Sequence, residues 1–210
     1  ATGSESLIPP IRGIDGKNVM TSTEALDVTE LPDSLVIIGG GVIGLEIGSI
    51  YSRFGVKTVI LEALPELLPS ADREAVEVLK EAVERNIQIR TGAKVKEIRD
   101  SENGKEIFYE LGGKDEKITA GKVLICVGRR PNTRELGLER AGIVVSDRGY
   151  IQVSECCETT AKNIYAVGDV NGKTLLAHAA AAQGILAAEK ICGRDAGINI
   201  DLIPGCIYTR

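Results

Sequence analysis

The sequence predicts an α/β fold: a doubly wound parallel sheet with a small antiparallel meander inserted. Three observations predict it. A short unbroken apolar run at 35–38 and a β-branched-rich run at 56–61 are each followed by a helix-period segment, the pattern of parallel strands joined by crossover helices. The period then switches to short alternating runs at 94–98, 106–111 and 116–118, split by Asn103-Gly104 and Gly112-Gly113, dipeptides that turn hairpins. A further apolar run at 123–127 returns the chain to the buried sheet.

Residues 1–34 are rich in Pro and Gly and read as loop. The run 35–38 is the first sheet strand. A helix is expected over 42–54, with Ile43, Ile47, Ile50 and Phe54 on one stripe and Gly55 as its stop. Strand two ends at Glu62. The next helix is expected over 72–85, with Ala75, Val76, Leu79 and Val83 inward, and strand three over 87–90. After the meander and the run 123–127, residues 163–167 read as a strand that ends at Gly168-Asp169. An Ala-rich helix over 175–192 follows, closed by Gly193. Residues 203–210 read as the start of a new strand.

The composition is that of an ordinary folded domain, with 43% hydrophobic and 26% charged residues among 210. The net charge of −5 is dispersed, which argues against a nucleic-acid or anionic-membrane surface. No apolar run approaches the roughly 20 residues that span a bilayer, and no signal-peptide pattern is present, so a cytoplasmic location is expected. Cys126, Cys156, Cys157, Cys192 and Cys206 show no metal-ligand spacing, and His178 is the single His, so no metal site is expected. The adjacent Cys156-Cys157 reads as a redox pair or, more plainly, as two reduced thiols. The missing initial Met and the ending on Ile207-Tyr208-Thr209-Arg210 read as a segment of a longer chain.

The sharpest motif is Gly39-Gly40-Gly41-Val42-Ile43-Gly44, followed by Leu45 and Glu46. A GxGxxG alone is weak; here a buried strand precedes it and a helix follows, as a Rossmann dinucleotide site requires. Gly39 permits the tight turn, Gly41 lets backbone approach a pyrophosphate, and Gly44 lets the helix pack close to the strand. The helix start offers free N–H groups and a positive dipole end to the phosphates. Glu62 stands where an acid meets the adenosine ribose, and no Arg or Lys follows in 63–67 to receive a 2′-phosphate, which favours NAD over NADP. The alternative for Glu62 is a solvated strand-end acid. Glu46, in the first turn or so of the helix, suits either the dipole or a contact at the nicotinamide end.

Residues 39–46 (GGGVIGLE), 126–133 (CVGRRPNT) and 163–170 (NIYAVGDV) together resemble the flavin-dependent pyridine nucleotide–disulfide oxidoreductases. Residues 175–184 (LLAHAAAAQG) are most similar to the dihydrolipoyl dehydrogenase branch. The resemblance implies NAD contacts at Gly39, Gly40, Gly41, Val42, Ile43, Gly44, Leu45, Glu46, Glu62, Val95 and Gly128. It implies FAD contacts, in an intact enzyme, at Thr2, Gly3, Ser4, Asp169, Leu175, Leu176, Ala177 and His178. Without it, His178 reads as a partly buried helix-start His. The resemblance further implies segments: 1–25 trailing part of an FAD-binding domain, 26–148 the NAD-binding domain, 149–193 a second FAD-binding part, and 194–210 a linker and the start of an interface domain.

The family's redox pair of cysteines separated by four residues, its first flavin GxGxxG and its catalytic His do not match positions in this sequence, so no catalytic residue is assigned. The implied activity is oxidation of dihydrolipoamide through a disulfide and FAD to reduce NAD⁺. The implied partners are NAD(H) and a lipoyl-bearing acyltransferase or carrier protein, in a homodimer. An NADH oxidase, a CoA-disulfide reductase, a mercuric reductase or a non-catalytic NAD-binding module stay as alternatives. The truncated chain alone is expected to be inactive and to retain little FAD.

Overall fold

The structure, a computed structural model, describes residues 1–209. Its elements in chain order are β1 (Ser4–Ser6), β2 (Val19–Met20), α1 (Ser22–Leu26), β3 (Ser34–Ile38), α2 (Val42–Arg53), β4 (Lys57–Glu62), α3 (Arg73–Glu84), β5 (Gln88–Thr91), β6 (Lys94–Ser101), β7 (Gly104–Leu111), β8 (Lys114–Ala120), β9 (Lys122–Ile125), β10 (Arg129–Pro131) and α4 (Ala177–Ile191). The chain divides into two compact units, one of Ser6–Gly128 with the tail from Ile207, the other of Ala1–Glu5 with Arg129–Cys206.

The larger unit is built on a five-stranded parallel sheet in the order β2-β9-β3-β4-β5. The side-chain period of two splits each strand between two cores. Leu35, Ile37, Ile60 and Leu124 face one way, into a core shared with Leu45, Ile47 and Tyr51 of α2 and Val83 of α3. Val36, Ile38, Leu61, Val123 and Ile125 face the other way, against Ile98, Ile107 and Tyr109 of the meander β6-β7-β8. The return from β5 to β9 is therefore a three-stranded antiparallel sheet, and it seals the second face of the parallel sheet where a crossover helix would otherwise lie.

The expected strands and helices of this unit are present within a few residues. Two elements were not legible: β2 is only two residues long, and α1 is one short turn with a Thr21–Glu24 capping box. The inward face of α2 differs from the expected stripe. Ile50 and Phe54 are exposed, while Gly44, Leu45, Ile47, Gly48 and Tyr51 are buried. Gly44 and Gly48, one turn apart, form the contact face. A Cβ on Gly44 would lie 2.2 Å from the Gly39 carbonyl oxygen, and one on Gly48 would lie 3.0 Å from Ile37 Cδ1. Close backbone approach, not bulky side chains, sets this packing. On α3 only Val83 is buried; Val76 and Leu79 are partly covered, and Ala75 is exposed.

The smaller unit is less regular. β1 pairs with β10, and single bridges join Val145 to Ile151, Val153 to Thr159 and Glu158 to Tyr165. Its core gathers Ile143, Ile151, Ala166 and Val170. The strand expected over 163–167 is only the bridge at Tyr165. Asn163 sits at φ 64°, which takes the chain out of the extended region at the first residue of the segment. Asp169 accordingly begins a 3₁₀ turn, Asp169–Asn171, instead of ending a strand. The Ala-rich helix begins at Ala177, not Leu175, because Leu176 is extended at φ −134° and ψ 136°. Residues 203–209 form no strand, and Arg210 lies outside the described residues.

Candidate functional site: the glycine turn and the Asp169 turn

The glycine turn lies at the carboxyl ends of β3 and β9, where the strand order reverses: β4 follows β3 on one side, and β9 flanks it on the other. Open α/β sheets bind ligands at such a switch point. Gly39 has φ 111°, and a Cβ there would lie 2.3 Å from the Cys126 carbonyl oxygen, so the turn excludes side chains. Gly41 is different. It is the N-cap of α2 with φ −78° and ψ −176°, extended backbone that any residue adopts, and a Cβ there would meet nothing within 4 Å. The protein's own packing does not require glycine at 41.

α2 starts without a side-chain cap. The amides of Val42 and Ile43 therefore lack the partner that Ser, Thr or Asp supplies at most helix starts. The adjoining dipole end is positive. Leu45 is fully buried, so only its backbone can serve a ligand. Glu62, at the end of β4, turns back on the loop. Its Oε2 accepts from the Gly40 N–H at 2.6 Å and its Oε1 from the Leu64 N–H at 2.7 Å. The carboxylate is thus held in place beside the turn, with lone pairs left for further donors.

Glu46 is the fifth residue of α2, just past its first turn. Its Oε1 accepts from the Tyr208 N–H at 2.8 Å. Val95 lies on β6 beside a bulge, half-buried against the meander core. Gly128 has φ 130°, and its carbonyl accepts from Leu7 N–H at 3.0 Å. Cys126, just past the end of β9, is partly buried, and that burial pushes its thiol up to about 12, away from the reactive thiolate form. All residues of the NAD set fall within the larger unit.

The residues of the FAD set all fall within the smaller unit. The Ser4 hydroxyl donates to Asp169 Oδ2 at 2.5 Å. Arg129 donates to the Ser4 hydroxyl from Nε at 2.6 Å and to the Ser4 carbonyl from Nη2 at 2.7 Å, and its Nε lies 3.8 Å from Asp169. Thr2 donates to the Asn132 carbonyl and Gly3 has φ 72°. Leu175 and Leu176 precede α4, while Ala177 and His178 form its first turn, again without a side-chain cap. His178 is exposed, not partly buried, and its Nε2 donates to the Pro204 carbonyl at 2.8 Å. Arg129 was missed by sequence reasoning. It sits inside the CVGRRPNT motif, but a charged residue after a glycine carries no signal of a partner 125 positions away.

Comparison with known proteins agrees with this geometry. The family model of the pyridine nucleotide-disulphide oxidoreductases matches residues 1–184. The dihydrolipoyl dehydrogenase of Thermus scotoductus is 43% identical over all of this chain, which spans 46% of that relative. The solved structure of LpdA from Mycobacterium tuberculosis superposes with a TM-score of 0.88 at 30% identity, covering 99% of this chain and 45% of that one. The HOCl-induced flavoprotein disulfide reductase RclA from Escherichia coli gives 0.82 at 34% identity, covering 92% of this chain and 44% of that one. The chain spans about half the length of the curated relatives it matches. With a match across the glycine turn, Glu62 and the Asp169 turn alike, the chain belongs to the pyridine nucleotide-disulphide oxidoreductase family.

Proposed function

We propose that this chain is the NAD(H)-binding part, with adjoining flavin-holding segments, of a dihydrolipoyl dehydrogenase. The observation that carries the reading is the pairing of a sterically free glycine at 41 with an uncapped helix start and a carboxylate locked beside them. Nothing in the protein's own packing accounts for a glycine there; close approach of a ligand does.

The residues' tasks follow from their chemistry. The amides at the start of α2 bind the pyrophosphate. Glu62 accepts hydrogen bonds from the ribose hydroxyls and repels a 2′-phosphate, which selects NAD over NADP. Glu46, Val95 and Gly128 are proposed to line the remainder of the dinucleotide. In the smaller unit, Asp169 offers its carboxylate to a ribityl hydroxyl, held by Ser4 and Arg129. The N–H groups of Ala177 and His178 suit a flavin carbonyl oxygen, with Thr2, Gly3, Leu175 and Leu176 beside them. When bound, the flavin carries electrons from a disulfide-forming dithiol to NAD⁺. The chain's own contribution is to hold each group in a fixed orientation within its own unit.

The segments 1–25, 26–148, 149–193 and 194–210 are proposed as functional divisions. In the longer protein we propose a soluble cytoplasmic homodimer acting on a lipoyl-bearing partner. No helix among the described residues is long and apolar enough to cross a membrane. The likeness to RclA supports a second reading, in which the same fold serves another disulfide.

Isothermal titration tests the core of the proposal. NADH is expected to bind, NADPH at least tenfold more weakly, and Glu62→Ala is expected to narrow that difference. A folded sample that gives neither heat nor affinity with NADH would sink the reading. A visible spectrum of the purified chain, together with NADH-dependent diaphorase activity on adding FAD, tests the flavin side.

A further inference from the structure

Gln183 sits on the inner side of α4, in a helix otherwise rich in alanine, and it is 1% exposed. A long polar side chain in that position needs a reason, because a buried amide is unfavourable unless its groups are bonded. Its Oε1 accepts two hydrogen bonds, from the Gly168 N–H at 2.7 Å and from Asn171 Nδ2 at 2.7 Å. Asn171, itself buried, gives its other amide proton to the Ala166 carbonyl at 3.0 Å, and its Oδ1 accepts from Lys173 N–H at 3.0 Å.

These bonds bracket the turn that carries Asp169. Gly168 has φ 80° and ψ −159°, a conformation open essentially to glycine alone. A Cβ on it would lie 3.2 Å from Ala180 Cβ. Ala180 and Gln183 are three apart on α4 and so share a face; one crowds the turn and the other bonds it. In contrast, Gln183 Nε2 is buried with no partner among the described residues. The side chain is used only as an acceptor. A neutral carboxyl group of the same length could do that work; a thioether could not.

We propose that Gln183 is a positioning residue, whose buried carbonyl oxygen holds the turn at Gly168 and Asn171 and thereby aims the Asp169 carboxylate, supported from its other side by Ser4 and Arg129. The inference rests on the proposed flavin role of Asp169 for its purpose, and on the hydrogen bonds to Gly168 and Asn171 for its geometry.

The test uses the full chain and two variants, Gln183→Met and Gln183→Glu. Three quantities are read: amide hydrogen exchange at Gly168, the NMR resonance of Arg129 Nε, and FAD affinity by flavin fluorescence. Gln183→Met is expected to speed Gly168 exchange at least tenfold, to move the Arg129 Nε signal, and to weaken FAD at least fivefold. Gln183→Glu is expected to keep all three within about twofold of the parent chain, since a carboxyl buried there takes up a proton and its carbonyl oxygen still accepts both donors. An unchanged Gly168 and Arg129 in folded Gln183→Met overturns the proposal. So does Gln183→Glu behaving like the methionine variant. If Gln183→Met does not fold, Gln183→Glu decides alone: retained Gly168 protection supports the proposal, and tenfold faster exchange overturns it. A parent chain with no FAD affinity defeats the flavin reading, while Gly168 and Arg129 still decide the positioning.

Discussion

Replacing Gly41 with Ala separates folding from binding. A Cβ at 41 meets no protein atom within 4 Å, and the backbone, at φ −78° and ψ −176°, lies where alanine is unstrained. Two small effects on stability oppose each other. Alanine is a poorer N-cap than glycine, a loss of about 0.5–1 kcal/mol. It also restricts the unfolded chain, a gain of about 0.4–1 kcal/mol. The net change is within about 0.5 kcal/mol, equivalent to about 1–2 °C in Tm for a chain of this size. The ligand has no such offset. A methyl group standing where a pyrophosphate should approach pushes it off the α2 amides. Losing about 1.4–3 kcal/mol there weakens NADH by tenfold to a hundredfold or more. Differential scanning calorimetry and NADH titration on the same sample check both halves. Unchanged NADH affinity would refute the assignment of Gly41 to the ligand, and a Tm loss above about 5 °C would refute the claim that the fold does not need this glycine.

Gly44→Ala should behave oppositely. Its Cβ would fall 2.2 Å from the Gly39 carbonyl oxygen, so a helix-propensity gain of about 1 kcal/mol is outweighed by overpacking of about 1–3 kcal/mol or more, and a lower denaturation midpoint in urea is expected. Thiol alkylation at pH 7, read by mass spectrometry, should label the exposed Cys192 and Cys206 first. Cys126, partly buried with its thiol pushed up to about 12, and Cys157, buried with its thiol also pushed up, should stay unlabelled until the chain unfolds. Thr21→Ala removes the α1 cap and should cost about 0.5–2 kcal/mol at pH 7. The Thr21 hydroxyl and N–H hold the Glu24 carboxyl below its ordinary value. That part of the contribution is therefore present above the unfolded pKa of about 4.3 and lost as pH falls through the lower folded value. The difference between parent and variant should narrow in acid.

Features that contiguous residues encode can be read directly from the chain. The runs 35–38 and 59–61 announce buried parallel strands because side chains must be apolar where both faces are covered. Asn103-Gly104 and Gly112-Gly113 announce the meander because few dipeptides turn hairpins so tightly. The turn at 39–44 and Glu62 are readable together because the βαβ unit places them by chain length alone. The remaining features depend on contacts between segments far apart in the chain. Ile50 and Phe54 share a helical stripe with Ile47, yet the buried face centres on Gly44 and Gly48, because distance between backbones and not hydrophobicity governs that contact. β2 is too short to carry a period, and it exists because the edge of β9 offers hydrogen bonds. Ser4, Arg129 and Asp169 come together across 125 and 165 positions, as do Gly168 and Gln183 across a helix start. Hydrogen bonds of that reach leave no local pattern in a chain, since each partner's surroundings in sequence would suit a solvated surface equally well.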